Sequence, residues 1–597
     1  MNLYSQLQQN VSEALKKLYN TEVSSADILL SETKKDFEGD VTLTVFPLTK
    51  ISRKSPEQTG NEIGEGVKQN SPELIQSFNV IKGFLNIVIA EDYWKKFFSS
   101  ISGDEQFGFI RITEKSPMVM VEYSSPNTNK PLHLGHIRNI LLGHSVSHLL
   151  QAAGNRIAKV NLVNDRGIHI CKSMLAWKKW GNGETPQSSG EKGDKLVGKY
   201  YVLFDEYLKS QILNLKSEGM NEEEAEKKAP LILEVQEMLR KWEAGDKETI
   251  DLWKMMNGWV YDGFDVTYEK LGVGFDRIYY ESQTYLLGKK IVDEGLSKKV
   301  FYKKDDGSVW INLTDVGLDE KVLLRSDGTS VYITQDIGTA DLRFKDYPEA
   351  EKLIYVVGNE QDYHFKVLKE IFRKLHHPKA EGLFHLSYGM VDLPSGKMKS
   401  REGTVVDADD LIDEMDATAK QMTQDLGKVE NLTAQEAEKL YHTLGMGALK
   451  YFILKVDPKK RMLFNPAESI DFNGNTGPFI QYTHARICSV LGKGKNILQK
   501  NPGGKISSLN KEEKEIVKLI HRFPETIQEA AAQFSPATVA NYVYELAKAY
   551  NHFYHEHTIA DEAYQEQSLF RLQLSKVTAS IIRKSLTLLG IESPEKM

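Results

Sequence analysis

The residues best suited to chemistry are His133 and His136, which lie three positions apart in a polar turn. The turn follows residues 118–121, a short apolar run that indicates a buried parallel strand. It precedes a helical pattern that stops at Gly154. A helix N-terminus that follows such a strand offers free N–H groups to phosphate, at the edge of the sheet where ligands bind. The turn is therefore predicted to bind a phosphate-containing ligand.

The two histidines also have plainer interpretations, as metal ligands or as ordinary helix-capping residues. Zinc needs about four N, S or O ligands, and no partner pair with ligand spacing stands near them in the sequence. Phosphate binding is therefore the stronger interpretation. Gly135 stands between the histidines and has no side chain, so it permits close approach of an adenine ring or a ribose.

Composition limits the class of protein. The chain has 597 residues, which suggests roughly three to four domains. No apolar run approaches the ~20 residues of a membrane span, so we expect no membrane partner. The start of the chain lacks a signal-peptide layout, and Cys171 and Cys488 are too far apart in sequence to suggest a disulfide framework or structural zinc. A cytoplasmic location is expected. The net charge of −7 argues mildly against nucleic acid, although one basic face would suffice for RNA.

The order of patterns predicts a multidomain α/β protein. Strands alternate with helices from about residue 116, which predicts a Rossmann-like, doubly wound parallel sheet. A charged, mainly helical insertion interrupts it at about 180–300. When the sheet resumes, residues 322–324 and 331–334 flank a Ser-Asp-Gly turn and predict a hairpin.

Smaller regions flank the sheet. The predicted division is an N-terminal α+β domain (1–115), the catalytic sheet domain (116–410), a linker (411–464) and a C-terminal all-α helical bundle (465–597).

Several motifs together resemble one enzyme family. Residues 122–136 read Glu-Tyr-Ser-Ser-Pro-Asn-x-x-Lys-Pro-Leu-His-x-Gly-His and closely resemble the arginyl-tRNA synthetases, with the His-x-Gly-His signature of class I aminoacyl-tRNA synthetases. Residues 36–40 and 82–86 resemble the N-terminal domain that this family uses against the corner of tRNA. Residues 474–486 resemble the opening of its anticodon-binding domain. The resemblance covers essentially the whole chain.

The resemblance implies a ligase. It would activate L-arginine with ATP to arginyl-adenylate and pyrophosphate, and then transfer arginine to the 3′-terminal adenosine of tRNA(Arg). Mg²⁺ would arrive with ATP, without zinc, and the enzyme would be a monomer. Three alternatives are another class I synthetase, a small-molecule nucleotidyltransferase that needs no RNA, and a catalytically silent tRNA-binding relative.

The resemblance also assigns the residues at ATP. A loop at residues 397–401 is similar to the second class I signature, Lys-Met-Ser-Lys-Ser, and its cations could clamp ATP phosphates. Ser400 stands where that signature has its second lysine, and Lys130 stands where many arginyl enzymes have a replacement. The predicted catalytic residues are Lys130, His133, His136, Lys397 and Arg401. The predicted ATP-binding residues are His133, Gly135, His136, His364, Lys397, Met398, Lys399 and Ser400.

Arginine would be recognised by carboxylates, because a guanidinium is a planar fork that pairs with them. By resemblance, Tyr332 and Asp336 hold the guanidinium, and Glu281 assists. The backbone end of arginine is assigned to Glu122, Ser125, Asn127 and Gln361. Each assignment has a plainer alternative. The alternatives are that Asp336 caps a helix beginning at Ile337, Tyr332 packs in the sheet, Glu122 pairs with Arg138, and His364 is a core histidine.

Overall fold

A computed structural model describes residues 3–34, 36–392, 406–425, 432–471, 473–500 and 508–597. The chain forms two compact units. The first contains the N-terminal region through Phe107, with Ser489–Phe523 and Lys548–Ser580. The second contains Gly108–Cys488, Pro524–Ala547 and Ile581–Met597. The domain boundaries proposed from the sequence stay a prediction.

The N-terminal part of the first unit is a four-stranded antiparallel sheet with helices. Its sheet has the order β1-β2-β4-β3. Helix α1 buries Leu3, Leu7 and Val11, which recur at helical spacing on one face. The elements are α1 (Leu3–Tyr19), β1 (Leu30–Glu32), β2 (Val41–Thr44), α2 (Thr49–Ser52), α3 (Pro56–Asn70), β3 (Ile75–Ile81), β4 (Phe84–Ile89) and α4 (Glu91–Ile101).

The second unit is built on a five-stranded, fully parallel sheet. Its elements from the first strand to the short helix after β7 are β5 (Met118–Glu122), α5 (Leu134–Ala152), β6 (Arg156–Val163), α6 (Ile168–Trp180), α7 (Pro186–Ser189), α8 (Gly193–Ser217), α9 (Glu222–Lys228), α10 (Pro230–Glu243), α11 (Lys247–Leu271), β7 (Arg277–Tyr280) and α12 (Glu281–Thr284). The elements that follow are α13 (Gly288–Ser297), β8 (Tyr302–Lys303), β9 (Val309–Ile311), β10 (Lys321–Leu324), α14 (Tyr332–Asp346), β11 (Ala350–Gly358), α15 (Asp362–Lys374), β12 (Leu383–Tyr388), β13 (Val391–Asp392), α16 (Ala408–Asp425), α17 (Ala434–Leu454), β14 (Met462–Leu463), α18 (Pro466–Ser469) and α19 (Gly477–Lys493).

The order of the strands locates the place for a ligand. The sheet has the order β12-β11-β5-β6-β7, and every neighbouring pair is parallel. The chain therefore runs outward from β5 in one direction and later returns to its other side with β11. In doubly wound sheets ligands bind beyond the carboxyl ends of the strands at such a switch point. The predicted doubly wound sheet is confirmed.

The predicted hairpin after β10 is wrong in its second strand. β10 pairs with β9 in a small antiparallel sheet, but residues 331–334 lead into helix α14. The apolar side chains of that helix recur every three or four residues, and four of them are buried: Ile333, Ile337, Ala340 and Phe344. Helical burial of this face outweighs the local preference of β-branched and aromatic residues for a strand.

The C-terminal region is helical, as predicted. Its helices are α20 (Lys495–Lys500), α21 (Lys511–Gln533), α22 (Pro536–Glu556) and α23 (Gln565–Leu588). No helix in the described ranges is long and apolar enough to cross a membrane.

Candidate active site

The carboxyl ends of the parallel strands bring the predicted arginine-binding residues to one edge of the sheet. Glu122 is the last residue of β5. Glu281 directly follows β7, and Gln361 lies in a short 3₁₀ turn after β11. Residues far apart in sequence therefore share the edge where a doubly wound sheet binds its ligand.

The turn after β5 has an unusual backbone that neighbouring amides hold in place. Ser124 and Ser125 have φ of 77° and 45°, values that residues other than glycine rarely adopt. The Oδ1 of Asn139 accepts the N–H of Ser124 at 2.6 Å, and the Oδ1 of Asn161 accepts the N–H of Ser125 at 2.9 Å. Strain of this kind persists only where surrounding contacts fix it, and it is common at functional sites.

The two signature histidines cap helix α5. The Nδ1 of His133 accepts the N–H of Gly135, and the Nδ1 of His136 accepts the N–H of His133, both at 3.1 Å. In a neutral imidazole only one nitrogen carries hydrogen. Each ring therefore keeps its hydrogen on Nε2. The capping interpretation is correct as far as Nδ1 is concerned, and it leaves both Nε2–H groups as donors for a ligand.

Burial keeps both rings neutral. Burial and the charge of Lys130 lower the pKa of His133 to about 3. The same causes, with His133 as a further neighbour, lower the pKa of His136 well below its ordinary value. At neutral pH the pair consists of uncharged hydrogen-bond donors.

The position of the His133 ring leaves no room for a side chain at Gly135. A Cβ at this position would lie 2.9 Å from Cε1 of His133, which is closer than ordinary carbon contacts. A larger residue would therefore push the histidine ring away from its cap.

A second chain segment runs beside the histidine turn. The N–H of Leu134 donates to the carbonyl of Val406, and the N–H of Ala408 donates to the carbonyl of Leu132. The predicted cationic loop lies just before this segment in sequence. Its members Lys397, Met398, Lys399, Ser400 and Arg401 lie outside the described residues.

Glu122 pairs with Arg343, a residue that the sequence did not point to. Its carboxylate forms an ion pair with Arg343 of α14, and both side chains are buried. It also accepts the hydroxyl of Ser125 at 2.9 Å. The alternative pairing with Arg138 is wrong, because that guanidinium donates to main-chain carbonyls, including that of Lys460 at 2.7 Å.

Asp336 faces the site from the second turn of α14. Since this helix begins at Tyr332, the alternative that Asp336 caps a helix starting at Ile337 is wrong. Its Oδ2 lies 2.5 Å from Nε2 of His364. Tyr332 lies one turn earlier and is 77% exposed, so it does not pack in the sheet. The two are four positions apart, which puts them on one face of the helix.

Glu281 is surrounded by other charges. Its carboxyl has a pKa raised to about 7, mainly by burial; Arg166 opposes this shift, and the negative charges of Asp165 and Asp336 add to it. Glu281 and Asp336 are therefore close enough to interact. Two neighbouring carboxylates suit a cation such as guanidinium.

The other described residues that were predicted for the site, Asn127, Gln361 and Lys130, are more exposed to solvent. Asn127 is exposed, and its main chain forms an isolated parallel bridge with Asn164, the residue just after β6. Gln361 is exposed as well. Lys130 is half-buried in the turn. Within the described parts of the chain, no group of three or more His, Cys, Asp or Glu residues could hold a metal ion.

Three family models match the chain, each over a separate region. They are the N-terminal domain of arginyl-tRNA synthetase (5–89), the catalytic domain of class I tRNA synthetases of the arginine type (101–465) and the DALR anticodon-binding domain (480–597). Together with the parallel sheet and the histidine pair at its switch point, they define a class I aminoacyl-tRNA synthetase.

Full-length relatives identify the family within this class of enzymes. The chain is 57% identical to the arginine–tRNA ligase of Bacteroides thetaiotaomicron and 54% identical to that of Flavobacterium psychrophilum, with both chains covered completely. The chain belongs to the arginyl-tRNA synthetase family. In fold it is similar to arginyl-tRNA synthetases from Thermus thermophilus (24% identical, TM-score 0.77) and Plasmodium falciparum (20% identical, TM-score 0.74), again over the whole of each chain.

Proposed function

We propose that the pocket at the carboxyl edge of the sheet carries out the reaction of this family, the activation of L-arginine by ATP and its transfer to tRNA(Arg). The observation that carries the proposal is that two neutral histidines follow β5, while Glu281, which interacts with Asp336, follows β7 of the same parallel sheet. The histidines offer uncharged donors to ATP, and the carboxylates offer partners to a guanidinium.

The guanidinium lies between Tyr332, Asp336 and Glu281 in this proposal. Asp336 is oriented by its contact with His364, so one oxygen remains for the substrate. The backbone end of arginine is assigned to Ser125, Asn127, Gln361 and Glu122. Because Glu122 already balances Arg343, we assign it to orienting Ser125 as much as to contacting the substrate.

ATP lies over Gly135, with the Nε2–H groups of His133 and His136 donating to its phosphates. His364 is also assigned to ATP, although its Nε2 faces Asp336. Phosphate charge in the transition state is assigned to the loop of Lys397, Met398, Lys399, Ser400 and Arg401, with Lys130 in place of the lysine that Ser400 replaces. Fixed donors aimed at developing charge are the main source of catalysis in such a site.

The reaction needs no nucleophilic side chain. A carboxylate oxygen of arginine attacks the α-phosphorus of ATP, and pyrophosphate leaves. A ribose hydroxyl of the terminal adenosine then attacks the arginyl carbonyl, and AMP leaves. The protein contributes positioning and charge stabilisation. Mg²⁺ arrives with ATP as part of the substrate, and we assign no role to zinc.

Contacts with tRNA are assigned to the two outer regions. The N-terminal region matches the family's N-terminal domain, and residues 480–597 match its anticodon-binding domain. These matches support tRNA(Arg) as the partner. The division into domains at 1–115, 116–410, 411–464 and 465–597, the monomeric state and action in the cytoplasm remain parts of the proposal.

Aminoacylation of total tRNA with each of the standard amino acids tests the proposal directly. We expect charging with arginine alone, and no charging without ATP. A parallel ATP–pyrophosphate exchange assay with and without tRNA separates a synthetase from a nucleotidyltransferase that needs no RNA. Charging with another amino acid, or none at all in folded protein, would contradict the proposal.

A further inference from the structure

Asp165 is a buried carboxylate at the carboxyl end of β6, and the function proposed above gives it no role. It is 1% exposed. Its Oδ1 accepts the N–H of Ser282 at 2.8 Å, and its Oδ2 accepts the hydroxyls of Ser282 at 2.7 Å and Tyr261 at 2.9 Å. These three bonds use the carboxylate on protein donors, so it acts through its neighbours.

The main chain of Asp165 is held as firmly as its side chain. Its carbonyl accepts the indole N–H of Trp253 at 2.6 Å and is also within reach of the Asn257 amide at 3.4 Å. Both donors belong to helix α11. Asp165 therefore connects three elements. It lies two residues beyond β6, its carbonyl and one carboxylate oxygen accept bonds from α11, and both carboxylate oxygens accept bonds from Ser282 of α12.

The residue that this connection fixes is Glu281. Glu281 is the first residue of α12, directly before Ser282. The two bonds to the N–H and hydroxyl of Ser282 hold the main chain of the residue that directly follows Glu281. The negative charge of Asp165 also acts on Glu281 through space.

We propose that Asp165 is a positioning residue for substrate arginine, which holds the main chain beside Glu281 and supplies a second negative charge behind it. This inference rests on the proposed function, in which Glu281 contacts the guanidinium. Asp165 itself does not touch the substrate.

The arrangement predicts how arginine binding depends on pH. The charged groups that act on Glu281 are Asp165 and Asp336, which favour its protonated form, and Arg166, which favours its ionised form. Burial, Asp165 and Asp336 raise the pKa of Glu281 to about 7 against the opposing charge of Arg166. The affinity for arginine should therefore fall as pH is lowered through that value. The Asp165→Asn change removes one negative charge, so this midpoint should move to lower pH.

Calorimetric titration of the full chain with L-arginine between about pH 5.5 and 8.5 tests this. Asp165→Asn should weaken binding about tenfold at neutral pH, because an amide nitrogen cannot accept from Ser282. It should also shift the midpoint down by roughly half a pH unit or more. An unshifted midpoint in folded Asp165→Asn protein would overturn the proposal.

Two further variants separate position from charge. Ser282→Ala keeps the charge of Asp165 and removes one bond, so it should weaken binding by roughly three- to tenfold without moving the midpoint. Glu184→Gln is a matched control, because Glu184 accepts a tyrosine hydroxyl, that of Tyr200, at 2.5 Å in the same unit. It should change neither quantity.

Ser282→Ala also keeps the test decisive if Asp165→Asn does not fold, since wild-type affinity in Ser282→Ala would overturn the proposal by itself. A different result would refute the proposed function. If the wild-type chain does not charge tRNA with arginine, that function is wrong. If the wild type charges tRNA and only the variants behave unlike the expectation, this inference alone is wrong.

Discussion

His136→Ala separates the two roles that the structure gives to one side chain. The Nδ1 of His136 caps helix α5 by accepting the N–H of His133 at 3.1 Å, and its Nε2–H is left for ATP. Loss of a cap costs about 1 kcal/mol of stability. Loss of one donor to the transition state costs about 2.7–4 kcal/mol, which corresponds to roughly 10²–10³ in kcat. We therefore expect a large loss of rate with a small loss of stability.

The assay is ATP–pyrophosphate exchange with arginine and tRNA present, alongside urea unfolding of the same preparations. His148→Ala is the matched control. His148 lies on the same helix, and its Nδ1 lies 3.0 Å from the carbonyl of Thr587, so its loss removes a histidine from α5 without removing a donor from the turn. The control should keep near wild-type kcat. A His136→Ala enzyme that is folded and turns over within about threefold of wild type would refute the donor role.

Three other predictions concern the charges around the sheet. Asp336→Asn should weaken arginine binding by more than about tenfold, because it removes a charge-assisted bond; a smaller calorimetric change would leave Asp336 only as the partner of His364. Arg343→Leu should lower the free energy of unfolding by about 3–5 kcal/mol, because it leaves the buried charge of Glu122 unpaired; urea midpoints equal to wild type would contradict this. Lowering the pH from about 7.5 to 5.5 should reduce the free energy of unfolding. In the folded chain, burial lowers the pKa values of His133 and His144 to about 3 and about 2, so only the unfolded chain takes up their protons in that range. A urea midpoint that does not change over this range would argue against neutral histidines.

Local sequence was sufficient to predict the strand–turn–helix segment that carries the histidines. The strand β5, the polar turn and helix α5 are continuous in sequence, and each has its own periodicity and stop signal. The same reasoning failed at residues 331–334, where β-branched and aromatic residues suggested a strand. There the burial of one face of α14 against the sheet decides the structure, and that face is visible only over a longer window.

The contacts that set the electrostatics of the site could not be predicted from the sequence. Arg343 lies far along the chain from Glu122, and Ser282 lies 117 residues from Asp165. No local pattern pairs such residues, because parallel strands bring their carboxyl ends together only once the sheet exists. Asp165 did have a local signal, since it lies just beyond the apolar stretch that forms β6, but its partner on α12 did not.

The central claim is that carboxylates at this edge of the sheet recognise the positive charge of the arginine side chain. The most direct test compares the Kd of L-arginine with that of L-citrulline, which has nearly the same shape and an uncharged end. The account predicts at least about 100-fold weaker binding of citrulline to the wild-type chain, and a clearly smaller ratio for Asp336→Asn. Equal affinities for the two amino acids in the wild-type chain would contradict it.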